Sequence, residues 1–287
     1  MKDVNFLKSR NVDVDKALEL FGDMDTYNET IKEFQSSLPE KVDFIKKYFE
    51  EKDMPNYAIY VHSLKSDCKY FGFMDLAQLA YDHELKSKAN DFAYVSEHYE
   101  ELMNKTNEIK TLVDEYLSDD VVAPVEPVQP VEVMEEVPAA PVTPSAINMA
   151  AEASSTPMVD NDVKYIMVAD DSEVIRLFVK KIFNGEYEIL SAKDGEEALN
   201  LLKQYSANNI KALLLDLNMP KVDGFAVLDY LKDNNLFNTI PTTVISGDSS
   251  SDAINKAFTY PIVDMLNKPF SEDKIKQAVL KTISFGS

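Results

Sequence analysis

The stretch Ala212-Leu-Leu-Leu-Asp216 is a short apolar run that ends in a carboxylate. Three further runs in the second half of the chain end in polar side chains in the same way. They are Tyr165-Ile-Met-Val-Ala169 before Asp170 and Asp171, Thr242-Thr-Val-Ile245 before Ser246, and Ile262-Val-Asp-Met-Leu266 before Asn267 and Lys268. Because open α/β sheets bind ligands at the carboxyl ends of parallel strands, we expect these side chains to meet at one edge of a sheet.

Strands and helices alternate throughout this half of the chain. The apolar runs predict strands near 164–169, 187–191, 211–215, 241–245 and 262–266. Helices are expected near 172–184, 194–205, 224–234, 250–258 and 271–283. Five βα units with short apolar strands predict an α/β, flavodoxin-like, doubly wound domain with a five-stranded parallel sheet.

The first part of the chain has a helical pattern. Gly22 and Gly72 are its only glycines, and apolar residues recur at helical spacing over residues 11–117. Pro39 and Pro55 are each expected in the first turn of a new helix, where proline is tolerated. Several antiparallel helices with short connections predict a helical bundle.

A proline-rich acidic segment separates the two parts. No Lys or Arg occurs from Thr111 to Val163, and seven of the 13 prolines of the chain fall within this stretch. An extended, polyproline-like linker is the expected structure. We therefore predict a helical domain at 1–118, a disordered linker at 119–162 and an α/β domain at 163–287.

The composition excludes several classes of function. The chain has 50 acidic and 29 basic residues, a net charge of -21, which argues against binding to nucleic acid or to anionic membranes. The single cysteine, Cys68, excludes an internal disulfide. With no signal-peptide pattern at the N-terminus and no apolar run long enough for a membrane span, we expect a soluble, cytoplasmic protein.

The polar residues at the predicted strand ends suit one chemistry. Asp170, Asp171 and Asp216 would repel one another unless a cation lay among them, and hard oxygen ligands suit Mg²⁺. Ser246 could donate a hydrogen bond to a phosphoryl oxygen, and Lys268 could neutralise another. Phosphoryl transfer needs mainly positioning and neutralisation of charge, so the pattern predicts Mg²⁺-dependent phosphorylation of Asp216.

Five motifs carry a resemblance to the receiver domain of response regulators in two-component signalling, over about 164–285. They are Val-Ala-Asp-Asp-Ser (168–172), Leu-Leu-Asp-Leu-Asn-Met-Pro (214–220), Val-Asp-Gly (222–224), Ile-Ser-Gly (245–247) and Asn-Lys-Pro-Phe (267–270). The resemblance implies that Asp216 is the phospho-acceptor and that Ser246 and Lys268 contact the phosphoryl group. It also implies a cis bond between Lys268 and Pro269.

The same resemblance implies a set of metal ligands and shows one departure. Asp171 would bind Mg²⁺ directly, Asp170 would do so often through water, and Asn218 would contribute its backbone carbonyl. Receivers usually carry Tyr or Phe three residues before the lysine as a rotameric switch, and Met265 stands there instead. A flexible methionine could repack in that position.

His62 is the distinctive histidine of the first part. A buried stripe of one helix passes through Val61 and Leu64, and at 100° per residue His62 falls off it, on an exposed face with Lys65 and Ser66. The stretch His62-Ser-Leu-Lys-Ser66, with Phe71-Gly72, Leu76 and Glu84, resembles histidine-phosphotransfer (HPt) domains. The resemblance implies that His62 is the phosphohistidine and Lys65 its electrostatic support. Ser66 stands where the family usually has glycine.

Together these patterns predict a phosphorelay intermediate that passes phosphoryl groups between His62 and aspartates. The expected partners are a sensor or hybrid histidine kinase and other receiver domains. No Gly-rich phosphate loop or ATP-dependent kinase core is apparent. A linker of about 44 flexible residues would span roughly 36 Å, which allows HPt–receiver docking within one chain.

Two alternatives remain open from the sequence. In the first, Asp216 drains phosphoryl groups from His62 to water, as a phosphate sink. In the second, phosphorylation only changes protein contacts, and the chain is an adaptor. A haloacid-dehalogenase-type phosphatase also uses an Asp nucleophile, but it needs a second Asp two residues later, where this chain has Asn218.

Overall fold

The computed structural model describes residues 2–118, 163–247 and 251–286, and the predicted linker at 119–162 lies outside them. Residues 2–118, the helical region, form six helices. They are α1 (Val4–Lys8), α2 (Val14–Phe21), α3 (Met24–Glu50), α4 (Met54–Phe71), α5 (Met74–Lys88) and α6 (Phe92–Leu117). An aspartate side chain accepts a backbone N–H at the start of every one of these helices except α5. The short polar side chain thereby satisfies a donor that has no partner inside the helix.

The prediction that Pro39 begins a helix is wrong, because α3 runs without a break from Met24 to Glu50. The proline ring removes the backbone hydrogen bond to the carbonyl of Gln35. Burial of Phe34, Leu38 and other apolar residues on both sides of the proline stabilises the continuous helix. Pro55, in contrast, does lie in the first turn of α4.

Helix α4 is the most enclosed helix of the helical region. It packs against α3 and α5, and α6 packs against both of these helices. Thirteen of its 18 residues are buried, including polar ones. An amphipathic surface helix would bury only one stripe of its residues. Another part of the structure must therefore cover α4 in addition to α3 and α5.

The second part of the chain, the α/β region (163–247 and 251–286), contains five parallel strands in the order β2-β1-β3-β4-β5. The strands are β1 (Tyr165–Ala169), β2 (Glu188–Ala192), β3 (Ile210–Asp216), β4 (Thr242–Ser246) and β5 (Asp264–Asn267). The helices are α7 (Glu173–Phe183), α8 (Gly195–Gln204), α9 (Gly224–Asp233), α10 (Ser251–Ala257) and α11 (Glu272–Phe285), with a 3₁₀ turn at Ala207–Asn209. The predicted doubly wound α/β fold is confirmed.

Each face of the sheet has its own hydrophobic cluster. Strands β1 and β3 are central and almost entirely buried, which explains their continuous apolar sequence. Met265, at the position of the usual aromatic switch, is half-buried and packs against one of these clusters.

The other cluster continues from the α/β region into the helical region, and the two regions form one compact unit. The rings of Phe21 and Phe178 lie 5.5 Å apart, edge to face. Tyr70 packs on Phe270 at 5.9 Å, and its hydroxyl accepts a hydrogen bond of 3.1 Å from the Phe270 N–H. Aromatic pairs of this kind contribute beyond their buried area. This packing covers the outer face of α4.

None of the helices in the described parts of the chain is both long and apolar enough to cross a membrane.

His83 makes stability depend on pH. It is buried, its Nδ1 lies 2.7 Å from the Tyr57 hydroxyl, and burial lowers its pKa from 6.5 to about 4. Between these values the unfolded chain takes up a proton that the folded chain does not, so stability falls as the pH falls from 6.5 to 4. Between pH 6.5 and pH 4, we expect the free energy of unfolding of His83→Gln to fall by about 3 kcal/mol less than that of the wild type. Denaturant unfolding at both pH values measures this difference. An equal pH dependence in both proteins would contradict the assignment.

Candidate functional site

Three carboxylates meet at the carboxyl edge of the sheet. Asp216 is the last residue of β3, and Asp170 and Asp171 directly follow β1, the neighbouring strand. One carboxylate oxygen of each lies within 4.8 Å of the others. The strand ends therefore bring these three residues together as the sequence predicts.

Lys268 lies in the same cluster. Its ammonium nitrogen is 2.7 Å from Asp170 Oδ2 and 2.6 Å from Asp216 Oδ2. The residue directly follows β5, its backbone N–H donates to the carbonyl of Ser246, and its bond to Pro269 is cis. Burial alone would lower the pKa of Lys268, but the charges of Asp170 and Asp216 raise it well above its usual value. The lysine is therefore a permanent cation of the site.

The charges of this cluster do not balance. Three carboxylates and one ammonium leave two negative charges if all four groups are ionised. Burial and repulsion by Asp216 raise the pKa of Asp171, while Lys268 and Lys41 act in the opposite direction. Burial likewise raises the pKa of Asp170. A divalent cation would compensate the excess charge, and a set of oxygen donors suits Mg²⁺.

The two remaining predicted residues of the α/β region flank this cluster. The Asn218 N–H donates a 3.1 Å hydrogen bond to Asp216 Oδ1, and its side-chain Nδ2 is buried without a hydrogen-bond partner. Ser246 ends β4 and is buried next to β3. Both residues are thus close to the cluster, Ser246 at the end of a strand and Asn218 in the loop after β3.

His62 lies on α4 and is only 1% exposed, so the expectation of a solvent-facing imidazole is wrong. The face predicted to be exposed is the one that the α/β region covers. An alanine methyl group at Gly247 would lie 2.9 Å from His62 Nε2 and 3.4 Å from Ser66 Oγ. The imidazole therefore reaches the loop that directly follows Ser246.

The tautomer of His62 follows from its partner. His62 Nδ1 lies 2.7 Å from Glu84 Oε1, and an ionised carboxylate can only accept a hydrogen bond. Burial alone would raise the pKa of Glu84, but the hydrogen bond from His62 and the charges of Lys65 and Lys88 outweigh this effect and lower it. Nδ1 therefore carries the proton. The lone pair of Nε2, which is buried without a hydrogen-bond partner, faces Gly247.

Lys65 lies on the opposite edge of the imidazole from Nε2. Its ammonium is 2.6 Å from Glu84 Oε2 and 3.2 Å from His62 Nδ1. Burial lowers the pKa of Lys65, and Glu84 counteracts this effect. The lysine thus holds Glu84 in place, and its charge is compensated there.

Two cavities border residues of the site. One, of about 460 Å³, is lined by His62 of the helical region and Asn218 of the α/β region, among others. The other, of about 200 Å³, is lined by Lys41, Ser63 and Asp171, among others. Both the histidine and the acidic cluster therefore border open space between the two regions.

Sequence reasoning missed several residues around His62. Glu84 is 22 positions away and lies on another helix, so helical spacing gives no sign of its bond to His62. Gly247 was read only as part of a motif, and its close approach to α4 depends on the packing of the two regions. Asp67 belongs to no local sequence pattern, yet its carboxylate accepts a hydrogen bond from Ser172, 105 positions later.

Residues 166–280 match the family model of the response regulator receiver domain. The probable methanogenesis regulatory protein FilR2 of Methanothrix harundinacea is 32% identical over 109 residues, which cover 37% of this chain and 69% of that protein. The chain therefore belongs to the response regulator receiver family. Members of this family signal through phosphorylation of an aspartate.

Other relatives are much longer than the matched segment. The sensor histidine kinase RcsC of Escherichia coli is 30% identical over 131 residues, 45% of this chain and 13% of the kinase. TmoS of Ectopseudomonas mendocina, also a sensor histidine kinase, is 26% identical over 48% of this chain and 14% of its own length. Among solved structures, the receiver domain of Francisella response regulator 1452 is 29% identical, with a TM-score of 0.39, covering 43% of this chain and 99% of that one.

Gly247 provides a test of how closely His62 approaches the α/β region. Because a methyl group there would lie 2.9 Å from Nε2, Gly247→Ala should push the ring away, at a cost of about 1–3 kcal/mol. We expect His62 to become several-fold more reactive towards diethyl pyrocarbonate, measured by peptide mass spectrometry. His98, which is half-buried elsewhere, is the internal control. Unchanged reactivity of His62 would show that the ring does not contact this loop.

Proposed function

We propose that this chain is a phosphorelay intermediate in which a phosphoryl group passes between His62 of the helical region and Asp216 of the receiver domain. The observation that carries the proposal is the position of His62 Nε2. This atom is buried, has no hydrogen-bond partner and faces the loop after Ser246 at the acidic edge of the sheet. A nitrogen lone pair held in that place suits transfer to or from a phosphorylated carboxylate.

In this proposal Asp216 is the phospho-acceptor. It is fully buried at the end of the central strand, and Lys268 contacts one of its oxygens. Asp170, Asp171, Asp216 and the backbone carbonyl of Asn218 would hold Mg²⁺, which neutralises phosphoryl oxygens when bound. Ser246 would donate to another phosphoryl oxygen. Catalysis of this reaction is mainly a matter of position and charge, and these residues provide both.

The transfer itself is balanced without a further reactant. The lone pair of His62 Nε2 attacks phosphorus, the bond between phosphorus and the Asp216 carboxylate oxygen breaks, and its electron pair returns to the carboxylate. The reverse reaction forms the acyl phosphate and restores the lone pair on Nε2. No proton has to move, because Nδ1–H stays hydrogen-bonded to Glu84 in both directions.

Glu84 and Lys65 support His62 from the side away from the phosphoryl group. Phosphorylation on Nε2 leaves a positive charge on the imidazole, which the Glu84 carboxylate compensates at 2.7 Å. Lys65 in turn keeps Glu84 ionised and in place. In this proposal, therefore, the support that Lys65 gives to His62 acts through Glu84.

The Ser66 hydroxyl provides a hydrogen-bond donor next to the loop at Gly247. Its hydroxyl is buried without a hydrogen-bond partner, close to the place that a Gly247 side chain would occupy. An unpaired buried hydroxyl is costly unless a ligand satisfies it. We assign it to a phosphoryl oxygen while the group is on His62.

The source and the destination of the phosphoryl group lie outside the chain. A sensor or hybrid histidine kinase would supply it, and other receiver domains would exchange it with His62.

The labelling pattern of three proteins tests the proposal. Wild type, Asp216→Asn and His62→Gln are incubated with Mg²⁺ and acetyl phosphate, and phosphohistidine and phosphoaspartate are separated by their acid and base stability. We expect both labels in the wild type, aspartate label alone in His62→Gln, and at least about a hundredfold loss of both labels in Asp216→Asn. His98→Gln is the matched control and should behave as wild type. Wild-type protein labelled on Asp216 but never on His62 would refute transfer within this protein.

A further inference from the structure

One carboxylate of the helical region contacts the α/β region next to its acidic cluster. Asp67 on α4 is 1% exposed, and its Oδ1 accepts a hydrogen bond of 2.6 Å from the hydroxyl of Ser172. Its Oδ2 forms an ion pair with Lys41 of α3. Ser172 directly follows Asp170 and Asp171. Neither Asp67 nor Lys41 has a part in the transfer step derived above.

We propose that Asp67, held by Lys41, is a recognition residue that selects a receiver with a hydroxyl group directly after its acidic pair. The receiver domain of this chain meets that requirement through Ser172. The meaning of this proposal for signalling rests on the proposed function. It adds which receivers can exchange phosphoryl groups with His62.

Selection follows from the cost of burying a carboxylate. Each oxygen of Asp67 has one partner, Lys41 for Oδ2 and Ser172 for Oδ1. In the separated regions water would satisfy Oδ1. A docked receiver with alanine or valine in place of Ser172 would bury Oδ1 with no donor. An unsatisfied buried group of this kind weakens binding by roughly 5- to 150-fold, so the contact works mainly by rejecting the wrong receiver.

The same hydrogen bond also fixes where the acidic cluster lies. The Ser172 N–H donates to Asp170 Oδ1 at 3.0 Å, and its hydroxyl oxygen accepts from the Ile175 N–H at the start of α7. On the other side, His62 and Asp67 are five residues apart on one helix. The bond between Asp67 and Ser172 therefore connects two rigid parts, one carrying the histidine and the other carrying the acidic pair.

A second polar contact between the regions serves as a control. Lys181 forms an ion pair with Glu29 at 2.8 Å, but the two side chains are 43% and 67% exposed. Exposed ion pairs contribute little because water and salt screen them. Loss of this contact should therefore change docking far less than loss of the buried one.

Docking is measured in the full chain by hydrogen exchange of the Phe270 amide, because its N–H donates to the Tyr70 hydroxyl across the two regions. We expect Asp67→Ala and Ser172→Gly each to speed this exchange at least about fivefold, and Glu29→Ala, which removes only the exposed ion pair, about twofold or less. Glycine is a fair substitute at a helix start, so Ser172→Gly keeps α7 intact. Ser172→Thr, which restores a hydroxyl, should return the rate close to wild type.

The double variant shows whether Asp67 and Ser172 act together. Because both lose the same bond, Asp67→Ala combined with Ser172→Gly should exchange no faster than the more affected single variant, within about twofold. The proposal would be overturned if the effects of the two single variants multiplied in the double variant, or if each single effect were no larger than that of Glu29→Ala. Exchange of the α7 amides beyond its first turn, which should not change, excludes unfolding as the cause.

Selectivity is then tested between chains. Phosphorylated His62→Gln protein donates to an Asp216→Asn protein, whose His62 is intact. Ser172→Gly in the donor or Asp67→Ala in the acceptor should slow transfer at least about fivefold, and Ser172→Thr should not. Equal rates for all donors would overturn the proposed selection. If neither these pairs nor the wild-type protein transfers label to His62, the proposed function fails, while the Phe270 exchange still decides whether Asp67 recognises Ser172.

Discussion

Uncompensated negative charge at the carboxyl edge of the sheet is the constraint on which the rest of this structure depends. Asp170, Asp171 and Asp216 are brought together by parallel strands, and the ammonium of Lys268 forms ion pairs with the carboxylates of Asp170 and Asp216. Buried carboxylates that repel one another are stable only with compensating charge. The excess negative charge favours binding of a divalent cation at this site, together with a group that supplies further oxygen ligands.

The helical region covers this edge with a surface of matching chemistry. Aromatic contacts, such as Phe21 with Phe178, provide the apolar part of the contact. Around the acidic cluster the helical region instead places polar groups, the His62 nitrogen and the Ser66 hydroxyl, which have no hydrogen-bond partners. Apolar packing thus brings the regions together, and the unpaired polar groups leave a place that a phosphoryl group can satisfy.

The sequence predicts one half of this site well because the relevant positions follow from strand ends. Asp170, Asp171, Asp216 and Lys268 lie where parallel strands finish, and the topology of the fold alone makes them neighbours. The switch position, Met265, could be read from the spacing to the lysine in the same way.

The other half depends on contacts between distant segments. Helical periodicity gives the orientation of His62 relative to its own helix, but it cannot show that another region covers that face. Likewise the bonds of His62 to Glu84 and of Asp67 to Ser172 join residues 22 and 105 positions apart. The prediction that Pro39 begins a helix was wrong for a related reason, because burial of residues on both sides of a proline can outweigh its local effect on the helix.

The central claim is that His62 and Asp216 of one chain face each other, and the concentration dependence of transfer tests it most directly. Wild-type protein is labelled briefly on Asp216 with acetyl phosphate, and the appearance of phosphohistidine is followed over a wide range of protein concentration. The proposed function predicts a first-order rate constant that does not change on dilution, because both reacting groups would belong to the same chain. A rate that falls in proportion to protein concentration would place the reacting histidine and aspartate on different chains and contradict the account.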